Sequence, residues 1–359
     1  MKAGKIAATA AGVVAAAAAI VIGANHRAVH MVFKNLTVKK LSLDEDMEWM
    51  GGSAYEKIPY AKDTESQYLD LYVPEESFAE KPPLFVMIHG GGFIYGDSQT
   101  RQPMFMYQYF RDHGYACATL NYRLAQEEPF PGGLEDVKAA VRFLRSHADE
   151  YGFDASKIAV WGESAGGYLA CAEAFTDDTE FMGVRYIGQD EDEAAGRTIS
   201  AKADVLIDYY GAVDLGEIWT GDGDWKTLGV PQIVTDIANG WLDGKMLEGF
   251  SSVESYWLRK EFTDMTPEEK EWSDPKYYAR KNMGKTVDPA VMIVHGDCDI
   301  TVPYLQSTRL AELVESLPGG ERTKLLLVPG EGHATDMLYS EEILGQVDQF
   351  IRGNMEAGD

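Results

Sequence analysis

The sequence predicts an α/β fold: a mostly parallel central sheet, helices on both of its faces, and one long inserted excursion. Three observations carry that expectation. Short continuous apolar runs at 84–88, 115–120, 157–161, 204–210, 290–294 and 324–328 alternate with helical stretches. Strands that are apolar along their whole length are covered on both faces, which strand–helix alternation achieves with a parallel sheet. Several of these runs end in glycine-containing turns that carry serine, acid or histidine. A chain of 359 residues is ample for one such domain.

The first 40 residues differ in kind. Ile6 to Ala24 carries no charge, Lys2 and Lys5 precede it, and no acidic residue occurs before Asp44. Its length is close to the ~20 residues that span a bilayer as a helix. It is rich in alanine, and its Val and Ile residues supply roughly −2 to −4 kcal/mol of insertion energy. Residues 1–34 are therefore expected to be an apolar anchor or signal segment, with 35–359 the catalytic domain. Ile22-Gly23-Ala24 is a poor cleavage site, and the uncharged stretch exceeds the usual core of about 7–15 residues, which favours an uncleaved anchor over a cleaved, secreted form. Basic residues on both sides leave the membrane side open. The sequon Asn35-Leu36-Thr37 matters only in a eukaryotic secretory pathway.

Leu84 to Ile88 reads as a buried strand running into His89-Gly90-Gly91-Gly92-Phe93. Glycines there let backbone N–H groups approach a substrate oxygen without Cβ obstruction. Leu134, Val137, Val141 and Leu144 follow a helical spacing. Lys157 to Trp161 is the next strand, and it meets Gly162-Glu163-Ser164-Ala165-Gly166 before a small, helix-prone run. Strand, tight turn and helix are what a nucleophile elbow requires, and Gly162 and Gly166 meet the demand for flanking positions without side chains. Ser164 is the expected nucleophile. The N–H groups of Gly91, Gly92 and Ala165 are the expected oxyanion hole.

Ala290 to Val294 ends in a loop bearing Asp297, Cys298 and Asp299, and Lys324 to Val328 ends in a loop bearing His333. Serine, acid and histidine each follow a strand, in an order that suits a triad. His333 is the expected general base and Asp299 its partner. Asp297 is the rival acid, read instead as a turn former bonding nearby backbone. His89 and His295 are expected to brace their loops, and His113 and His147 to be surface or cap residues. Ile343, Leu344, Val347, Phe350 and Ile351 close the chain with a packed helix.

A net charge of −26 argues against nucleic acid as a partner, since phosphate would be repelled. No P-loop or G-x-G-x-x-G is present. Asp190 to Glu193 reads as a solvated loop without the spacing of a calcium-binding EF-hand. Cys117, Cys171 and Cys298 are too scattered for a disulfide framework or a zinc site. From about 217 to 272 an excursion holds Trp219, Trp225, Trp241, Trp257 and Trp272. Two readings stand: the tryptophans form the excursion's own small core, or one or two of them face Ser164 and shape a pocket.

The His89–Phe93 run, Asn121-Tyr122-Arg123-Leu124 with Pro129-Phe130-Pro131 and Glu135-Asp136-Val137, the Val160–Gly167 elbow, and His295 to Pro303 together resemble the α/β-hydrolase esterases and lipases with an HGGG oxyanion loop. The likeness extends to hormone-sensitive-lipase-like enzymes and to bifunctional feruloyl and acetyl-xylan esterases. It spans roughly Leu84 to Phe350. Glu163 departs from the Asp usual in the hormone-sensitive-lipase-like group, a change read as leaving the chemistry untouched. The resemblance implies an α/β-hydrolase fold, a cap formed by the 217–272 excursion, and hydrolysis of short-acyl or carbohydrate-linked carboxylic esters through an acyl-enzyme, with no metal or organic cofactor. Alternatives are a peptidase or amidase using the same triad, and a non-catalytic binding protein, which the presence of all three triad residue types argues against.

Overall fold

A computed structural model describes residues 52–216, 218, 247, 249–285 and 288–355. The segment expected to be an N-terminal anchor, Trp219, Trp225 and Trp241 of the expected cap, and the sequon lie outside the described residues. Within them, no helix is long and apolar enough to cross a membrane.

Eight strands form one sheet: β1 Gly52–Pro59, β2 Tyr68–Pro74, β3 Pro83–Ile88, β4 Ala116–Leu120, β5 Asp154–Glu163, β6 Val205–Tyr209, β7 Ala290–Gly296 and β8 Thr323–Val328. Their order is β1-β2-β4-β3-β5-β6-β7-β8. β1 pairs antiparallel with β2, and β2 antiparallel with β4; the remaining neighbours are parallel. The expected parallel strands are all present. The antiparallel pair β1–β2 was not among them: β1 is half-buried or exposed at every position, and β2 carries Asp70 as its third residue. That carboxylate is buried and accepts from the Lys57 N–H and the Ser98 hydroxyl.

Side chains alternate across the sheet, so each strand feeds two cores. Leu84, Val86 and Ile88 join one cluster, with Val137 and Val141 of the helix Gly132–Ser146 and Leu169 of the helix Ala165–Phe175. Phe85 and Met87 join the other, with Phe110 of the helix Arg101–Asp112 and Val347 and Ile351 of the helix Glu341–Met355. Each such fully buried side chain contributes about 1.5–3 kcal/mol by leaving water. The chain passes from β3 to β4 on one side and then crosses back over β3 to β5. That reversal opens a crevice at the carboxyl ends of β3 and β5, where open α/β sheets place their ligands.

Two expectations change. Gln189–Ala194 is a short helix, not a loop, and Asp192 within it is buried. Ser146, Tyr186 and Arg197 donate to its carboxylate. Trp257 belongs to the main core rather than to a separate cap core. Its ring stacks on Phe93 at 3.8 Å between centroids, with Phe130 and Tyr168 edge-on. Trp272 is 46% exposed and meets Phe130 edge-on at 4.7 Å. The two described cap tryptophans thus pack around Phe130 and Phe93.

Candidate active site

The elbow forms because two positions have no room for a side chain. A Cβ on Gly162 would lie 2.0 Å from the Gly166 carbonyl oxygen, and one on Gly166 would lie 2.2 Å from that of Ile88. Between them Ser164 sits at φ +53°, ψ −117°. Such a conformation costs a non-glycine residue about 1–3 kcal/mol, so the surroundings must hold it. They do: the Ser164 N–H donates to the Tyr209 carbonyl at 2.9 Å, and the Ser164 carbonyl accepts from Ala212 and Tyr168.

The loops after β7 and β8 bring their residues to this serine. His333 Nε2 lies 3.1 Å from Ser164 Oγ, and Nδ1 lies 2.6 Å from Asp299 Oδ2. An ionised carboxylate only accepts, so Nδ1 carries the proton and Nε2 faces the hydroxyl as a base. Asp299 is fully buried. Its Oδ1 accepts from the N–H groups of Thr301 and Val302. Burial pushes this carboxyl up, but the His333 charge and the bonds from both histidines outweigh it and hold it far below the usual range. Burial likewise pushes His333 down, and the Asp299 charge and hydrogen bond more than reverse this, leaving it above 6.5. Asp297 is elsewhere: its Oδ1 accepts from the Gly330 N–H at 2.6 Å, as a turn former does.

The glycine loop lies against the elbow. Gly91, Gly92 and Phe93 have φ values of +107°, +59° and +64°. The Gly91 carbonyl accepts from Ile94 and Tyr95, closing the turn. Among the described residues the N–H groups of Gly91, Gly92 and Ala165 have no protein acceptor. Three donors left open beside a strained serine suit a developing oxyanion. His89 braces the loop, with Nδ1 at 2.7 Å from the Gly90 carbonyl and its ring stacked on Tyr122. Burial takes this imidazole down to about 4, against the opposing effect of the Gly90 carbonyl, so it stays neutral.

Three neighbours escaped the sequence reading in whole or part. His295 braces its loop as expected through Ser307 and the Val302 carbonyl, and its Nε2 is also 3.1 Å from Asp299 Oδ2. Glu163 is buried, with Oε1 accepting from the Gly90 N–H and Oε2 from the Tyr210 hydroxyl. Tyr210 sets its ring 4.8 Å from that of His333. The i,i+4 spacing of His295 and Asp299 was a usable signal. Nothing in the sequence announces Tyr210.

Comparison with known proteins follows the same line. The profile of the BD-FAE family matches residues 69–314. Esterase LipC of Mycobacterium tuberculosis is 23% identical over 277 residues, which are 77% of this chain and 59% of LipC. Carboxylesterase NlhH of the same organism is 38% identical over 96 residues, 26% of this chain and 28% of that protein. The chain thus spans 59% and 28% of the length of these two curated relatives. Among solved structures, a truncated carbohydrate esterase from gut microbiota superposes with a TM-score of 0.68 at 22% identity, covering 86% of this chain and 99% of that one. An acetyl ester-xyloside bifunctional hydrolase from Caldicellulosiruptor lactoaceticus gives 0.56 at 19%, covering 80% and 87%. These likenesses show an α/β-hydrolase fold.

Proposed function

The chain belongs to the BD-FAE family, and from that premise we propose that it is a serine hydrolase of carboxylic esters. The observation that carries this reading is the continuous contact from Ser164 Oγ through His333 to the buried Asp299. Ser164 attacks the ester carbonyl while His333 Nε2 takes its proton. The carbonyl oxygen becomes an oxyanion on the N–H groups of Gly91, Gly92 and Ala165. Collapse expels the alcohol, which takes the proton back from His333. Water, deprotonated by His333, then releases the acid from the acyl-enzyme. Each step uses one proton and one base, and none calls on a further group.

Short acyl and carbohydrate-linked esters are the proposed substrates. What supports this is the likeness to structures named as a carbohydrate esterase and an acetyl ester-xyloside hydrolase. The test is a panel of p-nitrophenyl esters, acetylated xylan, feruloyl esters and aminoacyl anilides. Hydrolysis of the anilides with inert esters would favour the peptidase reading instead. Ser164→Ala is expected to lower kcat by roughly 10⁴–10⁶ with little change in Tm. Retained esterase activity would reject the mechanism. The uncharged run from Ile6 to Ala24 supports a membrane-anchored enzyme.

A further inference from the structure

The residue before the nucleophile does more than occupy a turn. Glu163 is a buried carboxylate at the carboxyl end of β5, 6% exposed. It makes two contacts in opposite directions. Oε1 accepts from the Gly90 N–H at 3.1 Å, and Gly90 immediately precedes the two glycines of the oxyanion loop. Oε2 accepts from the Tyr210 hydroxyl at 2.7 Å. Tyr210 has one hydroxyl proton, given to Glu163, so it accepts in turn from the Tyr339 hydroxyl. The three groups form a chain whose donors all point at the carboxylate, an arrangement matched to its ionised form.

We propose that Glu163 is a positioning residue for ester hydrolysis, holding the oxyanion loop against the elbow through Gly90 while its charge favours the imidazolium of His333. The proposal rests on the triad reading above. The first half follows from geometry. A Cβ on Gly90 would lie 2.9 Å from the Glu163 carbonyl, so the loop touches β5 there, and the Oε1 bond ties the same spot. Among the described residues the Gly91 and Gly92 N–H groups have no protein partner to aim them, so their placement depends on the backbone just before them.

The second half follows from charge. Tyr95 and Tyr122 on the loop side, Tyr210 and Tyr339 on the other, and His333 are the titratable groups that face Glu163. Among the described residues His333 is the one of these that becomes a cation. His333 itself is faced by Asp299 and Glu163, with the Tyr210 ring against it. Both carboxylates raise its proton affinity, Asp299 by direct contact and Glu163 through space, with the Tyr210 hydroxyl on its Oε2 and the Tyr210 ring against His333. Burial pushes the Glu163 carboxyl up, and the Tyr210 hydroxyl, the His333 charge and the Gly90 N–H oppose that rise. A charge that interacts more strongly with the imidazolium than with the neutral ring lowers the barrier for the active, neutral-histidine form, in which the imidazolium appears only once Ser164 has attacked.

Two variants separate the halves. Glu163→Gln keeps an acceptor for Gly90 and removes the charge. Its kcat is expected to fall about tenfold or more with KM little changed, and the acid limb of kcat/KM to move to lower pH. Glu163→Asp keeps the charge but falls one methylene short of Gly90. It is expected to lose kcat with the acid limb where the wild type has it. Rates are taken per active site, counted by stoichiometric labelling of Ser164 with a fluorophosphonate, so misfolded protein does not enter. A wild-type enzyme that fails to label would reject the triad reading itself. A labelled Glu163→Gln enzyme with wild-type kcat and an unmoved acid limb would overturn this proposal alone, as would a Glu163→Asp enzyme with undiminished kcat.

Discussion

Replacing Asp299 by asparagine tests the site most sharply, because the structure dictates how the new amide must lie. Thr301 and Val302 donate their N–H groups to Oδ1 at 2.7 and 2.9 Å. An amide oxygen can accept both, and an amide nitrogen can accept neither. The NH₂ group of asparagine is therefore forced into the Oδ2 position, facing His333 Nδ1 and His295 Nε2. Donor would meet donor at His333, so the imidazole must move its proton to Nε2. Nε2–H then points at the Ser164 hydroxyl and cannot take its proton. In a serine triad this wrong tautomer costs about 10⁴ in kcat, or about 5 kcal/mol of barrier. The assay is steady-state turnover of p-nitrophenyl acetate, normalised to folded protein by thermal melting. Asp297→Asn is the control: its carboxylate holds only the Gly330 N–H among the described contacts, and turnover is expected to fall less than tenfold. An Asp297→Asn enzyme more damaged than Asp299→Asn would refute the argument and move the acid to Asp297.

Other outcomes follow from the same contacts. His333 is held above the ordinary imidazole value of 6.5 and must be neutral to act as base, so kcat/KM should climb with pH through a limb lying above 6.5; Asp299→Asn removes the charge chiefly responsible, and its residual activity should show the limb at lower pH. Trp257→Ala removes a ring 1% exposed from the face of Phe93, and chemical denaturation should show a loss of about 3–5 kcal/mol, with kcat reduced at temperatures where the variant is folded; a loss under 1 kcal/mol would contradict the packing. A chain starting at Asn35 should be soluble and fully active while the full-length protein sediments with membranes and resists high-salt washing, because apolar insertion is not screened as surface charge is. Intact full-length protein found wholly in the soluble fraction would remove the anchor, and protein trimmed near Ala24 would point to a cleaved signal.

What could be read from the sequence follows from how each element is buried. β3, β4, β6 and β7 are buried at every position, so they appear as unbroken apolar runs. β1 carries Glu56 and Lys57 and is largely exposed, and Asp70 interrupts β2; neither offers such a run. Ser164, Asp299 and His333 each follow a strand within a recognisable turn, and local pattern was enough to nominate them. Glu163 was visible but its contacts were not, because its partners Gly90 and Tyr210 lie 73 and 47 residues away and only the fold brings them together. Trp257 shows the same limit: its partner Phe93 sits in the oxyanion loop, and no spacing within the excursion reveals it.

The stack of Trp257 on Phe93 bears on how enzymes built this way can diversify. Phe93 holds a left-handed backbone at the end of the proposed oxyanion loop, and the indole covering it is that of Trp257 in the described stretch 249–272. The Phe130 N–H also donates to the Trp257 carbonyl at 2.9 Å. The described stretch around Trp257 is thus joined to the glycine loop and to Phe130 rather than free of them. Grafting a relative's segment in place of this stretch, or trimming it to widen access, would strip the aromatic face from the turn proposed to hold the reacting oxygen. Altered substrate preference and altered turnover would then be inherited together, unless the incoming segment supplied its own flat ring at that spot.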